Sequence, residues 1–265
     1  HVEKASKLIK EAGFTLGHQI MPGLPGDNFE IDIESAKKSI AMKPDICRIY
    51  PSLVIKDTPM EDMYNRGDYK PYSLDEAVYI SAEMLKLYKE AKVKVIRIGL
   101  QPTDTITTGK DIVDGPFHPA FRELVEGYLI CESLKEKAPQ EKDIIIEINE
   151  KDISKLYTNR KYYFNKFLNS RNSKTYVHTN NKIKKGRLKL TVIEKVEALI
   201  ARVGGTVEKV DRWGKRRLAY AVKKFTDGYY VLINYEAAPA AIKEIDRVLK
   251  INDEVLRHLI VKHEA

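Results

Sequence analysis

The strongest constraint in this sequence is a long alternation of apolar and polar residues that begins at Val207. Val207, Lys209, Asp211 and Trp213 interleave with Glu208, Val210 and Arg212, and Leu218, Tyr220 and Val222 interleave with Arg217 and Ala219. A period of two places successive side chains on opposite faces of a strand, so the segment predicts a long two-stranded element with one apolar face. The other face is cationic. Tyr229, Val231, Ile233 and Tyr235 predict the returning strand, Pro239 to Leu249 a helix with its proline near the start, and Leu256 to Val261 a last strand. Arg212, Lys215, Arg216 and Arg217 gather on this hairpin with Trp213 and Tyr220. Cations there can meet phosphates while rings stack on bases, which points to RNA. The alternative is that both rings face inward and only the cations are exposed.

The wording of Trp213-Gly214-Lys215-Arg216-Arg217-Leu218-Ala219-Tyr220 and of Val255-Leu256-Arg257-His258-Leu259-Ile260-Val261 resembles the bacterial small-subunit ribosomal protein S-six family. The resemblance runs from Thr191 to the C-terminus. It implies a ferredoxin-like βαββαβ domain, contact with small-subunit rRNA, ribosomal protein S-eighteen as partner, and a cytoplasmic location on the ribosome. The family often has proline where this chain has Ala221. Its first strand is absent from the resemblance. We expect Leu188 and Leu190 to fill that slot, with Lys189 outward, because an open slot leaves backbone groups unpaired at about 1 to 3 kcal/mol each.

Charge is distributed unevenly. The chain of 265 residues has a formal charge of +8, and residues 151 to 190 alone carry 12 basic side chains against one acidic. Such a concentration favours polyanions through counterion release, and a solvated lysine-rich surface is the competing explanation. Two cysteines, Cys47 and Cys131, lack any ligand spacing and fit a reducing compartment. No apolar run reaches the length of a membrane span, so the chain reads as soluble, with no membrane partner. It opens with His1 inside an amphipathic helical pattern, which reads as a missing natural start.

From residue 1 to about 100, helices near 2–12, 29–42, 57–66 and 73–91 alternate with strands at 14–21, 46–50 and 93–100. That order predicts parallel strands in a wound α/β sheet or barrel. Further on, a strand at 143–148, a basic helix at 153–168 and short strands at 174–179 and 186–190 are expected. On that helix, Leu156, Tyr163 and Phe167 share a face that reads as packing rather than base stacking. Thr191 and Glu194 have the spacing of a capping box opening a helix at 193–203. Glu30, Asp32 and Glu34 read as a solvated turn or helix start and receive no role.

The stretches Gly17-His18-Gln19-Ile20-Met21-Pro22-Gly23-Leu24-Pro25-Gly26, Lys43 to Pro51, Arg97 to Thr103 and Phe117 to Leu124 are similar to the later barrel half and C-terminal extension of radical SAM proteins of the Elongator type. This resemblance covers residues 1 to about 190. It implies a parent enzyme using a 4Fe-4S cluster and S-adenosylmethionine, held by three thiolates in a Cys-x-x-x-Cys-x-x-Cys loop. That loop is absent from this sequence. Gln19, Gly23, Arg97 and Gln101 are then the vestigial residues on the side of the barrel that receives S-adenosylmethionine. No catalytic or metal-ligating residue is assigned, and catalysis by this chain alone is not expected. His18 and His118 have no ligand-spaced neighbours, and no phosphate fingerprint, nucleophile elbow or paired-histidine zinc motif occurs.

The sequence therefore predicts an α/β plus α+β chain. Residues 1–150 form a partial radical SAM (β/α) barrel and extension, 151–190 a basic accessory segment and linker, and 191–265 the S-six-like domain lacking or substituting its first strand. The join at Leu190-Thr191 reads as two coding sequences brought together. Two functions follow: a ribosomal RNA-binding protein carrying a catalytically incomplete fragment, or a truncated Elongator-type enzyme acting on tRNA or another substrate.

Overall fold

The computed structural model describes residues 1–102, 110–141, 143–192, 195–222, 225–252 and 255–262. The chain divides into two compact units. The first comprises residues 1–140, 147–172 and 177–189, and the second 141–146, 173–176 and 190–265.

In the first unit, α1 (Val2–Glu11), β1 (Gly17–Ile20), α2 (Phe29–Ala41) and β2 (Ile46–Ile49) alternate as the periodicity demands. A short β3 (Val54–Ile55), α3 (Pro59–Arg66), α4 (Leu74–Glu90), β4 (Lys94–Ile98), β5 (Ile112–Asp114) and α5 (Phe121–Lys137) follow. Side-chain caps fix three helix starts. Asn28 accepts from the Ile31 N–H, Thr58 from the Glu61 N–H, and Ser73 and Glu76 complete a reciprocal capping box. The parallel sheet has the order β1-β2-β4, and β3 pairs antiparallel with β5. Cys47, Ile49, Val95 and Ile98 are buried on one face of the parallel sheet.

The sequence pattern assigns no element to residues 121–137, which form a 17-residue helix. Its Gly127 marks a close approach: a Cβ there would lie 2.3 Å from the Lys155 carbonyl oxygen. Around this point, the Lys155 ammonium bridges Glu126 and the buried Asp152, each at 2.8 Å, and Arg122 also pairs with Glu126. The ion pairs lower the Glu126 and Asp152 carboxyls against the upward push of burial.

The basic helix expected at 153–168 is two pieces, α6 (Ile153–Leu156) and α7 (Thr158–Asn169). Asn159, Arg160 and Lys161 stand in the left-handed region at φ 49°, 52° and 67°, which breaks the helical path. Leu156, Tyr163 and Phe167 are all buried, in keeping with packing rather than stacking on bases.

The strands β6 (Ile144–Ile148), β7 (Thr175–Thr179) and β8 (Leu188–Val192) form a sheet in the order β7-β6-β8. This corrects the expectation for Leu188 and Leu190. Their strand pairs with β6, reinforced by the Lys189–Glu147 ion pair at 3.5 Å, and not with the strands of the C-terminal hairpin. Pairing with β6 satisfies backbone groups of β8, so they do not require a slot in the ribbon.

The connection before β8 is held at two points, where Asn149 donates to the Ile183 carbonyl and the Gly186 N–H donates to Asp152. Between them Lys184 and Lys185 are exposed. Limited trypsin treatment should therefore cut first after Lys184 or Lys185, read by mass spectrometry of the early fragments; first cuts after Lys161 or Lys166, within α7, would contradict this.

In the second unit, α8 (Lys195–Arg202) leads into β9 (Thr206–Val222), β10 (Phe225–Glu236) and α9 (Pro239–Ile251). The capping-box residue Glu194 and the Thr191 side chain lie outside the described residues. Leu199, Ile200, Ile245 and Leu249 are the buried core, flanked by Val203, Val207, Ile233, Tyr235, Val255 and Ile260. One expected strand is missing: residues 255–262 have no strand conformation. The segment is anchored by side chains instead, with Val255 and Ile260 against the core and the His258 ring 2.8 Å from Asp246.

Candidate nucleic-acid interface

β9 and β10 form an antiparallel ribbon in which Lys215 lies opposite Tyr229, Arg216 opposite Gly228 and Arg217 opposite Asp227. The chain can turn its path at Gly214, whose φ of 81° a side-chain-bearing residue rarely adopts. Register shifts between Tyr230 and Val231 and between Asn234 and Tyr235 interrupt the strict alternation. The extra residues at these two shifts, Trp213 and Glu208, lie on β9. The alternation places Val231 on the apolar face with Tyr229 and Ile233, yet Tyr230, Val231 and Leu232 are all exposed.

Both rings singled out on β9 lie on the surface: Trp213 is 51% exposed and Tyr220 63% exposed. That decides against inward packing for the pair. The Arg216 guanidinium sits 5.0 Å from the centre of the Trp213 ring, a cation–π interaction that keeps both groups at the surface and in one place. Tyr220 has a partner that sequence reasoning missed. Arg257, from the segment after α9, donates to its phenol oxygen at 2.7 Å. The signal is present in the sequence only as an arginine inside the expected last strand, where it reads as an outward-facing cation.

Arg217 is exposed. The backbones of Arg212 and Lys215 belong to β9, and their side chains lie outside the described residues. The ring of Tyr229 stacks edge-on against Tyr176 at 4.8 Å, so a residue from well before the predicted join packs on the ribbon. Chemically, the ribbon offers two accessible rings, a guanidinium already lying over one of them, and further cations on the same strand. This is a surface suited to bases and phosphates.

The residues expected on the S-adenosylmethionine side behave differently from one another. Gln19 and Arg97 are exposed and share a row across the sheet, through Arg48 between them. Gly23 is buried, and a side chain there would strike the Tyr72 ring at 2.7 Å. Gln101 is exposed beyond the end of β4.

Gly23 belongs to a hydrogen-bonded knot that corrects one expectation. Asp32 is not solvated but buried, accepting from the Gly23 N–H at 3.2 Å and from the Tyr72 hydroxyl at 2.8 Å. Tyr69 donates to the Gly23 carbonyl at 2.6 Å. The reason is helical geometry: Asp32 lies on the inward side of the first turn of α2, below the Pro22–Gly26 turn whose N–H groups need an acceptor. Burial pushes the Asp32 carboxyl up to about 6, with the Tyr72 hydrogen bond opposing the shift.

Because the folded value lies above the unfolded one, this group's contribution is fully present below pH 4 and is lost as pH rises through about 6. Between those limits the effect amounts to at most about 3 kcal/mol. Asp32→Asn should therefore flatten the pH dependence of thermal stability between pH 4 and 7. An unchanged profile in a folded variant would contradict the assignment.

The two thiols do not fit an iron–sulfur cluster. Cys47 and Cys131 are both buried, and burial pushes both thiols up, Cys131 to about 12, away from the thiolate form that binds iron. Among the described residues, no group of three or more His, Cys, Asp or Glu side chains is arranged to hold a metal ion. No helix among them is long and apolar enough to cross a membrane.

Comparison with known proteins finds family matches for two segments of the chain. Residues 44–130 match the family described as Radical_SAM C-terminal domain. Half of the chain aligns with the solved structure of the archaeal Methanocaldococcus infernus Elp3 with N-terminus deletion, at 32% identity and a TM-score of 0.45, and spans 30% of that chain's length. Residues 179–262 match the family described as Ribosomal protein S6. The small ribosomal subunit protein bS6 of Carboxydothermus hydrogenoformans is 45% identical over 74 residues, 28% of this chain and 77% of the relative. The corresponding protein of Moorella thermoacetica is 51% identical over 73 residues, 28% of this chain and 74% of the relative. That of Clostridium kluyveri is 53% identical over 72 residues, 27% of this chain and 76% of the relative. Through its C-terminal portion, the chain belongs to the ribosomal protein S6 family.

Proposed function

We propose that this chain is an RNA-binding protein of the small ribosomal subunit, joined to a radical SAM-derived portion that is catalytically incomplete on its own. The supporting observation is the ribbon surface, where Trp213 and Arg216 stack in the open and Arg257 orders Tyr220 beside the cations of β9. In this reading Arg212, Trp213, Lys215, Arg216, Arg217 and Tyr220 contact small-subunit rRNA, and ribosomal protein S-eighteen binds alongside. The location is the cytoplasmic ribosome. The C-terminal portion derives from a ferredoxin-like βαββαβ plan of which α8, β9, β10 and α9 are present, and residues 1–150 derive from part of a (β/α) barrel with 151–190 as its basic accessory segment. Binding of the full chain to small-subunit rRNA, measured with and without S-eighteen, tests this. Tighter binding in its presence is expected, and equal affinity for an unrelated RNA of the same length would contradict it.

A second reading, a truncated Elongator-type enzyme acting on tRNA or another substrate, rests on the match of residues 44–130. It needs a 4Fe-4S cluster and S-adenosylmethionine, and two buried cysteines cannot supply three cluster thiolates. Anaerobic iron reconstitution of this chain should give no stoichiometric cluster absorption and no 5′-deoxyadenosine from S-adenosylmethionine. Formation of both would establish the enzyme reading.

A further inference from the structure

The helix α1 is packed inside out. Val2, Ala5, Leu8 and Ile9, with Ala12 at the C-cap, recur at the spacing of a single apolar stripe, and a helix this short owes its stability to burying such a stripe. Here the stripe is open. Val2 is 63% and Leu8 56% exposed, Ala5, Ile9 and Ala12 are exposed with them, and the one buried residue of the helix is Ser6. The contact with the sheet is polar: the Ser6 hydroxyl oxygen lies 2.9 Å from Nε2 of His18 on β1, whose Nδ1 lies 2.8 Å from the Ser39 hydroxyl oxygen on α2.

Helical geometry gives the direction of the stripe. At about 100° per residue, Ser6 faces the sheet, Lys10 lies to one side of it and the stripe to the other. Lys10 donates to the Lys43 carbonyl in the connection from α2 to β2. The stripe therefore looks away from β2, over the outer edge of β1. That edge is open as well: in the order β1-β2-β4, no strand among the described residues lies beyond β1. Edge strands are ordinarily protected by charge, proline or a bulge. Gly17-His18-Gln19-Ile20 contains no carboxylate, lysine, arginine or proline, and its register with β2 is unbroken. Phe14 before the strand and Met21 after it are exposed.

An open helix stripe beside an open strand edge is self-complementary about a two-fold axis normal to the sheet. Such an axis sets β1 antiparallel to its copy and lays α1 antiparallel to its copy on the same sheet face. The charges agree with this arrangement. Lys4 and Glu11 lie about 20° apart on the helix surface, on the Leu8 side of the stripe. The two-fold brings each flank of α1 against the same flank of its copy, so Lys4 meets the partner's Glu11 and Glu11 meets the partner's Lys4. In nearly the same register, Val2 falls beside the partner's Ala12 and Ala5 beside the partner's Ile9. A parallel pairing would instead oppose like charges. Lys4 has no ion pair among the described residues, and Glu11 reaches Lys7 at 3.7 Å.

We infer that α1 and the free edge of β1 form a homodimer interface, through which a second copy of this chain extends the sheet across an antiparallel β1–β1 junction. The interface lies in the first unit and is independent of the RNA-binding ribbon.

Sedimentation equilibrium of the full chain, at concentrations up to about 100 μM, tests this through a charge swap. The unaltered chain should dimerise reversibly. Lys4→Glu alone and Glu11→Lys alone each replace two attractive pairs by two repulsive ones and should weaken the dimer at least about tenfold. An equimolar mixture of the two variants restores both attractive pairs and should recover the original affinity within about threefold, a result that misfolded chains could not give. Hydrogen exchange of the peptide containing β1 should be slower in the dimer than in either single variant. A monomer at every concentration, a dimer indifferent to both variants, no recovery on mixing, or unchanged exchange in β1 would each overturn the inference.

Discussion

Replacing Arg216 and Arg217 together by alanine should lower the affinity of the full chain for small-subunit rRNA and reduce its dependence on salt. Removing one arginine–phosphate interaction lowers the slope of log affinity against log salt by about 0.7 to 0.9, so the double variant should lose about 1 to 2. The two arginines act differently. Arg216 lies 5.0 Å from the Trp213 ring and helps hold it at the surface, so its loss removes a charge and also frees a stacking group. Arg217 is exposed opposite Asp227 and contributes charge alone. Arg216→Ala should therefore cost more affinity than Arg217→Ala at high salt, where the charge contribution is screened and stacking remains. Circular dichroism of each variant establishes that the ribbon is intact. Unchanged affinity and slope in a folded double variant would mean that these arginines are merely solvated.

The second large effect is structural. Gly127→Val should destabilise the first unit by about 3 kcal/mol or more, because its added atoms enter space already taken by the 155–158 backbone and side chains. A Cβ alone would come within 2.3 Å of the Lys155 carbonyl oxygen and 2.4 Å of the Thr158 methyl carbon. The carbonyl is backbone and not the free end of a flexible side chain, so it cannot yield by a rotamer change. Any gain in helix propensity from removing glycine, about 1 kcal/mol, is too small to offset this. Thermal unfolding monitored by far-ultraviolet circular dichroism should show a transition lowered by roughly 6 °C or more. An unchanged transition would mean that α5 and α6 are not held together at this point.

What the sequence reveals depends on how local the cause is. The β9–β10 ribbon is legible because alternation and an aromatic, basic run specify a strand pair over short range, whereas the pattern leaves open whether Trp213 faces inward, and the structure exposes it. The exposure of Val231 is not legible, because what covers a strand residue depends on tertiary packing and is absent from the pattern of one strand. The partner of β8 differs from expectation for a related reason: Leu188 and Leu190 predict a strand, and only tertiary structure selects β6 over the ribbon. Asp32 reads as a surface carboxylate in a run with Glu30 and Glu34, and its burial arises from Tyr72, 40 residues later. The strand expected at 256–261 gives way to side-chain anchoring by Ile260, Arg257 and His258.

In the proposed function, RNA contact resides on the ribbon and not on the more cationic stretch before it. Residues 151 to 190 carry 12 basic side chains, so charge alone would direct RNA there. Ultraviolet cross-linking of the full chain to small-subunit rRNA, followed by digestion and mass spectrometry, separates the two because cross-links report contact with bases and not simply proximity to phosphates. The ribbon account predicts cross-linked nucleotides on the peptides containing Trp213 and Tyr220. Cross-links confined to residues 151 to 190, with Trp213 and Tyr220 unmodified, would contradict it.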